Sequence, residues 1–242
     1  MKLTNFKVLT FDVYGTLIDW ESGMITGLSP LTDRLHETLT RDQILEAHAR
    51  YESTTQRYTP AKNYKEILSV VYRRLAEEWG IPASWNECLV YGESVKNWPA
   101  FEDSAEALSY LKKHYKLVVL SNVDNESFSH SNAKLQIEFD AVYTAGDIGS
   151  YKPAPINFEY MLENLKSLGI EEHEILHTAE SMFHDHGPAN RFNLANCWIY
   201  RRHDKSGFGA TMNPGDMPTT SFVFNSMADL VDAHRREIDD LD

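Results

Sequence analysis

Cysteine is scarce in this sequence, and long apolar runs are missing. Only two of the 242 residues are cysteine. Cys88 and Cys197 lie too far apart in the sequence to form a metal-binding pair such as C-x-x-C, and the apolar neighbours of Cys197 predict a buried thiol. No stretch has the apolar length of a membrane span, and residues 1–12 lack the pattern of a signal peptide. We therefore expect a cytoplasmic protein with no membrane partner.

Positive charge is also in short supply. The 23 lysines and arginines are outnumbered by 36 aspartates and glutamates, which leaves a formal net charge of −13. Such a field repels a phosphate backbone, so we expect no nucleic-acid partner. A small anionic substrate stays compatible with this charge, because one local basic pocket can override the overall sign.

What the sequence does contain is a regular alternation of strand and helix patterns. Short apolar runs bounded by turn residues predict six buried strands, at residues 8–11, 116–120, 141–144, 175–178, 197–200 and 221–224. Apolar residues at helical spacing follow several of these runs, at residues 104–114, 157–168, 189–194 and 227–238. This alternation favours an α/β fold, with a doubly wound parallel sheet and right-handed crossovers.

One long segment interrupts the alternation. Between residues 28 and 98 no strand pattern occurs, and amphipathic helices are predicted at residues 44–58, 64–79 and 86–96. We interpret this segment as an all-helical cap subdomain inserted after the first strand. The predicted division is a catalytic core of residues 1–18 and 99–242 and a cap of residues 19–98.

Polar side chains follow four of the predicted strands at the point where each strand ends. They are Asp12 after the first strand, Ser121 and Asn122 after the second, Lys152 after the third, and Glu180 and Asp185 after the fourth. Ligands of open α/β sheets bind beyond the carboxyl ends of the strands, so we expect these side chains to converge at one mouth. A single acid at a strand end is often only a helix cap, but the whole set predicts a catalytic site.

These residue types suit covalent hydrolysis. A carboxylate such as Asp12 can attack an electrophile and form an ester that water then resolves. Thr16 and Ser121 can donate hydrogen bonds to the substrate or to the nucleophile. Lys152 places a positive charge among the carboxylates, which keeps them ionised and orients Asp12.

The same residues resemble the motifs of a known family. The segment Phe-Asp-Val-Tyr-Gly-Thr-Leu at residues 11–17 resembles the first motif of the haloacid dehalogenase superfamily. Ser121–Asn122 is similar to its second motif, Lys152–Pro153 to its third, and Glu180 with Asp185 to its fourth. The resemblance covers nearly the whole chain and implies a Rossmann-like core with a helical cap. It also implies catalytic roles for Asp12, Thr16, Ser121, Asn122, Lys152 and Asp185.

The residue two positions after Asp12 indicates which bond is broken. Superfamily phosphatases resemble D-x-D at this point, and the second acid protonates the leaving alkoxide. Here that position is Tyr14, and a halide leaves without needing a proton. The D-x-Y-G-T form together with a helical cap resembles the type II (S)-2-haloacid dehalogenases, which convert a 2-haloacid to a 2-hydroxyacid and use no metal.

The fourth motif indicates a different reaction. Those dehalogenases carry Ser-x-Asn where this chain has Glu-Ser-Met at residues 180–182. Glu180 and Asp185 resemble instead the acidic pair with which phosphatases hold Mg²⁺, and with Asp12 and the Tyr14 carbonyl they would complete a site of oxygen ligands. The alternative is that Glu180 forms a buried pair with Lys152 and binds no metal.

The expected anchor for a substrate carboxylate is not at its usual place. The cap arginine that binds this group in the family aligns with position 45 or 46, which are leucine and glutamate here. Arg50 or Arg57, one or two helical turns further along, is the candidate substitute. The alternative is that both arginines belong to a solvated helix face.

Aromatic residues complete the candidate pocket. Tyr14 and Trp20 are expected to line it. Phe158 stands where the family has a tyrosine, so it can pack against a substrate but cannot donate a hydrogen bond. With Arg50, these three are the candidate substrate-binding residues. We interpret His184 and His186, which flank Asp185, as structural.

The favoured function is hydrolysis through an Asp12 ester on a small organic acid, as in a 2-haloacid dehalogenase, with no cofactor required. One alternative is an Mg²⁺-dependent phosphatase acting on small phosphate esters. The other is a binding protein that kept the fold and lost the chemistry. The resemblance implies a homodimer as the assembly to test for.

Overall fold

The computed structural model describes residues 1–240, and a parallel sheet of six strands forms its centre. The strands are β1 (Val8–Phe11), β2 (Lys116–Ser121), β3 (Ala141–Thr144), β4 (Ile175–Ala179), β5 (Ala195–Ile199) and β6 (Phe222–Phe224). They are ordered β3-β2-β1-β4-β5-β6, and each neighbouring pair is parallel. The doubly wound α/β fold predicted from the sequence is confirmed.

The strands read as continuous apolar runs because the sheet is covered on both faces. Along β1, Val8 belongs to one apolar cluster, with Phe158 and Met161 from the helix that follows β3. Its neighbour Leu9 belongs to the larger cluster on the other side of the sheet, with Leu117. This alternation follows from the two-residue period of a strand, and it leaves only the carboxyl ends of the strands for polar chemistry.

Helices alone fill the segment between β1 and the first helix of the core. They are α1 (Trp20–Thr32), α2 (Arg41–Tyr58), α3 (Tyr64–Glu78) and α4 (Trp85–Gly92), followed by a 3-10 turn (Glu93–Asn97). Thr40, Asn63 and Ser84 cap the last three through their side-chain oxygens. This helical content is consistent with a cap.

The first of these helices, α1, has no counterpart in the helices predicted from the sequence. Its two internal glycines and Pro30 weaken the helical signal. Tertiary contact explains Gly23, since a Cβ atom there would lie only 2.3 Å from the indole of Trp98. The close approach of that indole stabilises a helix that propensity alone does not predict.

The two connections between core and helical segment run side by side. Ile18 bridges Ala100 in antiparallel fashion, the Asp19 amide donates to the Pro99 carbonyl, and the Phe101 amide donates to the Leu17 carbonyl. The helical segment is therefore joined to the sheet by a short paired hinge next to Asp12.

The remaining helices surround the sheet. They are α5 (Ser104–Leu111), α6 (Asn125–Leu135), α7 (Ala145–Ile148), α8 (Pro155–Ser167), α9 (Gly187–Arg191) and α10 (Met227–Asp239). Both cysteines are buried, and burial raises the pKa of the Cys197 thiol, as expected for an inert group. Among residues 1–240, the helices lack the combination of length and apolar character needed to cross a membrane.

Candidate active site

The candidate site lies where the order of the strands reverses. β1 has β2 on one side and β4 on the other, and the register aligns Phe11 with both Val119 and Thr178. The residues that follow these strands therefore emerge at one edge of the sheet, which is the usual position of a ligand crevice in such folds. Asp12 is the central residue of this edge, and its amide donates to the Thr178 carbonyl.

Lys152 is buried at the centre of the site and uses all three of its protons. Its Nζ atom donates to Oδ1 of Asp12 at 2.9 Å, to Oδ1 of Asp185 at 2.7 Å and to the Leu120 carbonyl at 2.9 Å. Burial opposes its charge, but the two carboxylates outweigh burial and raise the pKa of Lys152 above its ordinary value. The lysine thus links the two aspartates that the sequence places 173 positions apart.

Asn122 holds the main chain of this lysine. Its Oδ1 atom accepts from the Lys152 amide at 2.7 Å, and its Nδ2 atom donates to the Lys152 carbonyl at 3.0 Å. Both ends of the Asn122 side chain are therefore occupied, and its role in this geometry is to position Lys152. By contrast, the neighbouring Ser121 hydroxyl is buried without a hydrogen-bond partner and is not among the residues that line the cavity over Asp12.

Thr16 fixes the second oxygen of Asp12. Its hydroxyl donates to Oδ2 of Asp12 at 2.8 Å and accepts from the Glu180 amide at 2.8 Å. The Thr16 carbonyl in turn accepts from the guanidinium of Arg201 at 3.0 and 3.1 Å. Gly15, with φ of +98°, provides the tight turn that brings Thr16 back over Asp12.

Asp185 lies in a single π-helical turn (Met182–His186) after β4. Its Oδ1 atom accepts from Lys152 and lies 2.9 Å from Nε2 of His177, whose Nδ1 lies 2.8 Å from the Thr10 hydroxyl. Its Oδ2 atom is buried and has no partner. Asp185 therefore has an acceptor free for a water molecule or a substrate proton.

The two aspartates differ in their affinity for protons. Burial raises the pKa of Asp12, and the charge of Asp185 adds to this while Lys152 opposes it. Burial alone would also raise the pKa of Asp185, but Lys152 and His177 outweigh it and hold this pKa well below its ordinary value. The more basic carboxylate of the pair is Asp12, which suits a nucleophile, and Asp185 stays ionised beside it.

A narrow cavity of about 20 Å³, space for one or two water molecules, lies over Asp12. Its wall is formed by Asp12, Tyr14, Trp20, Glu52, Gln56, Tyr64, Asn122, Val123, Lys152, Ser181, His184 and Asp185. Tyr14, Trp20 and Asn122 thus lie where the sequence analysis predicted. Trp20, Glu52, Gln56 and Tyr64 belong to the helical segment, so the cavity lies between core and helices.

Tyr14 lines the cavity, but its hydroxyl is committed elsewhere. The hydroxyl lies 2.7 Å from Oγ of Ser131, and the ring packs edge-on against Trp98. Burial raises the pKa of Tyr14 above its ordinary value. The phenol is therefore a wall of the cavity and is poorly suited to protonate a leaving group.

The structure does not support two of the predicted substrate-binding residues. Arg50 is exposed and forms an ion pair with Glu78, with contacts of 2.6 and 2.8 Å. It precedes Glu52 by two positions, which is about 200° around a helix, so the two point to different sides. Phe158 is fully buried beneath the sheet, between Phe192 and His177, and does not line the cavity.

Glu180 is placed neither as a ligand of Mg²⁺ nor as a partner of Lys152, which were the two predictions for it. It lines a neighbouring cavity with Trp20, Arg201 and Arg202, and Lys152 makes no hydrogen bond to it. Burial, followed by the charges of Glu21 and Asp12, raises the pKa of Glu180 to about 8. Its carboxyl group therefore keeps a proton at neutral pH.

The residues proposed for Mg²⁺ do not form a ligand cluster. Within residues 1–240, no group of three or more His, Cys, Asp or Glu side chains is arranged to hold a metal ion. Asp12 and Asp185 share Lys152, whereas Glu180 lines the neighbouring cavity. The set of Asp12, Tyr14, Glu180 and Asp185 thus does not fit a hard cation.

Several residues of the cavity wall were missed in the sequence. Glu52 and Gln56 lie on the buried face of α2, four residues apart and in line with His48. A polar series at this spacing on an otherwise apolar helix face is the signal that could have identified them. His184 was interpreted as structural, but it lines the cavity, and burial lowers its pKa to about 4, so it is neutral. His186 is structural, with Nε2 lying 2.9 Å from the Ala179 carbonyl.

Comparison with known proteins agrees with this geometry. The family model described as haloacid dehalogenase-like hydrolase matches residues 6–178. No curated protein sequence matches the chain significantly.

Solved structures with the same fold cover nearly the whole chain. L-2-haloacid dehalogenase from Xanthobacter autotrophicus with chloropropionic acid covalently bound has 17% identity and a TM-score of 0.76, over 95% of this chain and 98% of the other. A second L-2-haloacid dehalogenase has 21% identity and a TM-score of 0.71, over 97% and 99%. A hydrolase from Bacillus subtilis bound to magnesium has 16% identity and a TM-score of 0.73, over 95% and 99%. At these identities the likeness shows a shared fold.

Proposed function

The chain belongs to the haloacid dehalogenase-like hydrolases, and we propose that it hydrolyses a carbon–halogen bond through an ester formed on Asp12, without a metal. The observation that carries this proposal is the pairing of both Asp12 oxygens at the floor of a narrow cavity. Oδ1 accepts from Lys152 and Oδ2 from Thr16. A carboxylate held in this way is aligned for attack on a small molecule above it.

In the first step, one carboxylate oxygen of Asp12 forms a bond to the carbon that bears the halogen. The carbon–halogen bond breaks, and its electron pair leaves with the halide. Because the halide is a stable anion, no proton donor is needed at the leaving group. Tyr14 occupies the position of the second acid of the phosphatases, and its phenol is hydrogen-bonded to Ser131. This supports the assignment.

In the second step, water attacks the carboxyl carbon of the Asp12 ester. The oxygen of that water stays in the Asp12 carboxylate, and the substrate carbon leaves as an alcohol that carries the original Asp12 oxygen. One proton of that water ends on the alcohol oxygen, and the other is released. The unpartnered Oδ2 of Asp185, which stays ionised, is suited to accept a hydrogen bond from the attacking water and to orient it. Over the two steps one water molecule is consumed, and the products are the alcohol, the halide and one proton.

A phosphatase reaction is less well supported. It would need a proton donor for the alkoxide and a cation for the phosphoryl group. The Tyr14 phenol is bonded to Ser131, and the predicted Mg²⁺ ligands do not converge. This alternative makes a clear prediction of its own, since its product would be inorganic phosphate and would depend on Mg²⁺.

The test measures both products in one assay. Purified protein is incubated with 2-chloropropionate, with 2-chloropropionamide and with an aryl phosphate, each with Mg²⁺ or with EDTA, and chloride and phosphate are quantified. We expect the wild type to release chloride equally with Mg²⁺ and with EDTA, and Asp12→Ala to release none. Phosphate released only with Mg²⁺ would contradict the proposal. Absence of both products and of any covalent adduct on Asp12 would favour a binding protein.

A further inference from the structure

The part of the cavity wall that the helical segment supplies carries a buried carboxylate. Glu52 on α2 lines the cavity and is 5% exposed. Its Oε1 atom accepts from Nε2 of Gln56 at 3.1 Å, and its Oε2 atom lies 3.4 Å from Nδ1 of His48. The negative charge of Glu52 also contributes, after burial, to raising the pKa of Tyr64. A substrate above Asp12 would therefore meet an acceptor on the cap side.

The same cavity offers no free cation to an anionic substrate. Among the described residues that line it, the only lysine or arginine is Lys152, and its three protons are already donated. Burial lowers the pKa of His184, so this histidine adds no charge. A substrate carboxylate would enter a small space that already holds Asp12, Asp185 and Glu52. Like charges confined together in a small, largely buried space repel one another strongly.

We propose that the substrate presents a nitrogen donor group, an ammonium or a carboxamide N–H, to Glu52, and that a substrate carboxylate is rejected there. This inference rests on the proposed function, because it places the reacting carbon at Asp12 and the polar end of the substrate at Glu52. Buried polar groups of a site discriminate strongly against ligands that leave them unpaired. Glu52 is therefore a specificity-determining residue.

A wider cleft beside the cavity is compatible with this orientation. About 540 Å³ of open space lies next to the narrow cavity, and Gln56 and Lys152 line both. Gln56 is also the partner of Glu52. Gln56 thus connects the cleft, which Arg57 also lines, with the carboxylate inside the cavity.

Substrate kinetics test the proposal on the proposed reaction. Chloride release from 2-chloropropionamide and from 2-chloropropionate is compared in the wild type, in Glu52→Gln and in the control Glu46→Gln, an exposed acid of the same helix. We expect the wild type and the control to prefer the amide in kcat/KM by about tenfold or more, and Glu52→Gln to lose this preference. A wild-type preference for the acid, or an unchanged ratio in Glu52→Gln, would overturn the inference.

Binding of unreactive analogues separates this inference from the proposed reaction. Propylammonium, propionamide and propionate are titrated calorimetrically into the wild type, Glu52→Gln and Glu52→Asp, with circular dichroism as the check on folding. We expect the first two to bind more tightly than propionate, and the preference to persist in Glu52→Asp, which keeps the charge. Tighter binding of propionate to the wild type would overturn the inference. A failure of chloride release with the expected binding order would contradict only the proposed function.

Discussion

The core wall and the cap wall of the cavity differ in how their polar groups are satisfied. On the core wall, formed by Asp12, Asn122, Lys152 and Asp185, Asn122 holds Lys152 and Lys152 holds both aspartates, while Thr16 holds Asp12 from behind the wall. On the cap wall, formed by residues of the helical segment, Oε1 of Glu52 accepts from Gln56, Oε2 lies 3.4 Å from Nδ1 of His48, and Tyr64 is a further hydrogen-bond partner. The core wall is therefore pre-organised for one reaction, whereas the cap wall retains acceptor capacity for a ligand.

This difference suggests that the core wall carries out the reaction and the cap wall selects the substrate. A group whose partners are all fixed cannot adapt to a new ligand, and its loss leaves other buried groups unpaired. A group with unused hydrogen-bonding capacity can be substituted at less cost to the stability of the fold, and its substitution changes which ligand is bound. Substitutions on the core wall should therefore affect turnover and stability, and substitutions of exposed residues outside both walls should change either very little.

The largest effect is expected at Asp12. Asp12→Asn keeps the shape of the side chain but removes its nucleophilic charge, and we expect turnover to fall by roughly 10⁴-fold or more. Initial rates of chloride release measure this. A variant that keeps even a tenth of wild-type turnover would show that another group attacks the substrate, and the core wall would lose its assigned role.

Lys152 should affect both activity and stability. In Lys152→Met the buried carboxylates of Asp12 and Asp185 lose their shared cation, which should cost about 3–5 kcal/mol in the free energy of unfolding. Urea denaturation measures this. The matched control is Lys112→Met, which breaks the partly exposed pair with Asp140 and should cost less than about 1 kcal/mol. Equal losses in both variants would contradict the pairing described for the site.

Asp185 should affect the second step more than the first. Asp185→Asn removes the free acceptor, so we expect ester hydrolysis to slow by about 10²–10⁴-fold while the Asp12 ester accumulates. Mass spectrometry of the peptide that contains Asp12 detects the adduct. The exposed Asp204 provides the control, since Asp204→Asn should leave turnover unchanged. Slow turnover without an accumulating adduct would assign Asp185 to the first step instead.

Glu180 should affect the pH dependence of stability. Its pKa is about 8 in the folded chain against 4.5 ordinarily, so between these values the unfolded chain is ionised while the folded chain keeps the proton. Stability should therefore fall as pH rises through this window, by about 1.4 kcal/mol per pH unit for one proton. Below pH 4.5 this loss is absent, and above pH 8 it is complete.

Glu180→Gln removes this titration, so its melting temperature should exceed that of the wild type at pH 8 and match it near pH 4.5. Thermal unfolding across this range, with and without Mg²⁺, tests the expectation. If Mg²⁺ raised the melting temperature of the wild type but not of the variant, Glu180 would be a metal ligand, and the metal-free account of the core wall would be wrong.

The smallest effect is expected at Arg50, which lies outside both walls. Its side chain is 53% exposed and paired with Glu78, so Arg50→Ala should change the free energy of unfolding by less than about 1 kcal/mol. The KM of the substrate that releases chloride should not change. A tenfold rise in KM would mean that this arginine reaches the substrate, and the cap wall would then contain a cation.

Much of the core could be predicted from the sequence because of how parallel sheets are built. Once the strand order is known, Asp12, Ser121 and Asp185 must emerge at the same edge, whatever the details of packing. Their spacing in the sequence therefore carries the geometry of the site. The predicted strands agree with the observed ones to within two residues at each end.

The cap wall was less predictable for a physical reason. Which side chain of α2 faces Asp12 depends on the rotation of that helix about its axis, and an error of two residues turns the choice to the far side. Arg50 was chosen in this way, and Glu52 is the residue that faces the cavity. The prediction that Phe158 lines the pocket was wrong for another reason. A buried aromatic residue near a motif gives the same sequence pattern whether it faces the site or the opposite side of the sheet.

Glu180 shows the limit of motif matching. Glu180 and Asp185 are five positions apart and resemble an acidic pair. Yet the pKa of Glu180 is raised to about 8, whereas the pKa of Asp185 is held well below its ordinary value. The difference comes from partners brought by tertiary structure. Lys152 and His177 contact Asp185, whereas burial and the charges of Glu21 and Asp12 outweigh Arg202 at Glu180.

The central claim is that Asp12 supplies the oxygen of the product, and isotope transfer tests it most directly. A single turnover in H₂¹⁸O, with protein in excess over the substrate that releases chloride, is followed by mass analysis of the alcohol and of the Asp12 peptide. The account predicts ¹⁸O in the Asp12 carboxylate and none in the alcohol. An alcohol labelled in this first turnover, with unlabelled Asp12, would mean that water attacks the substrate directly and would contradict the ester.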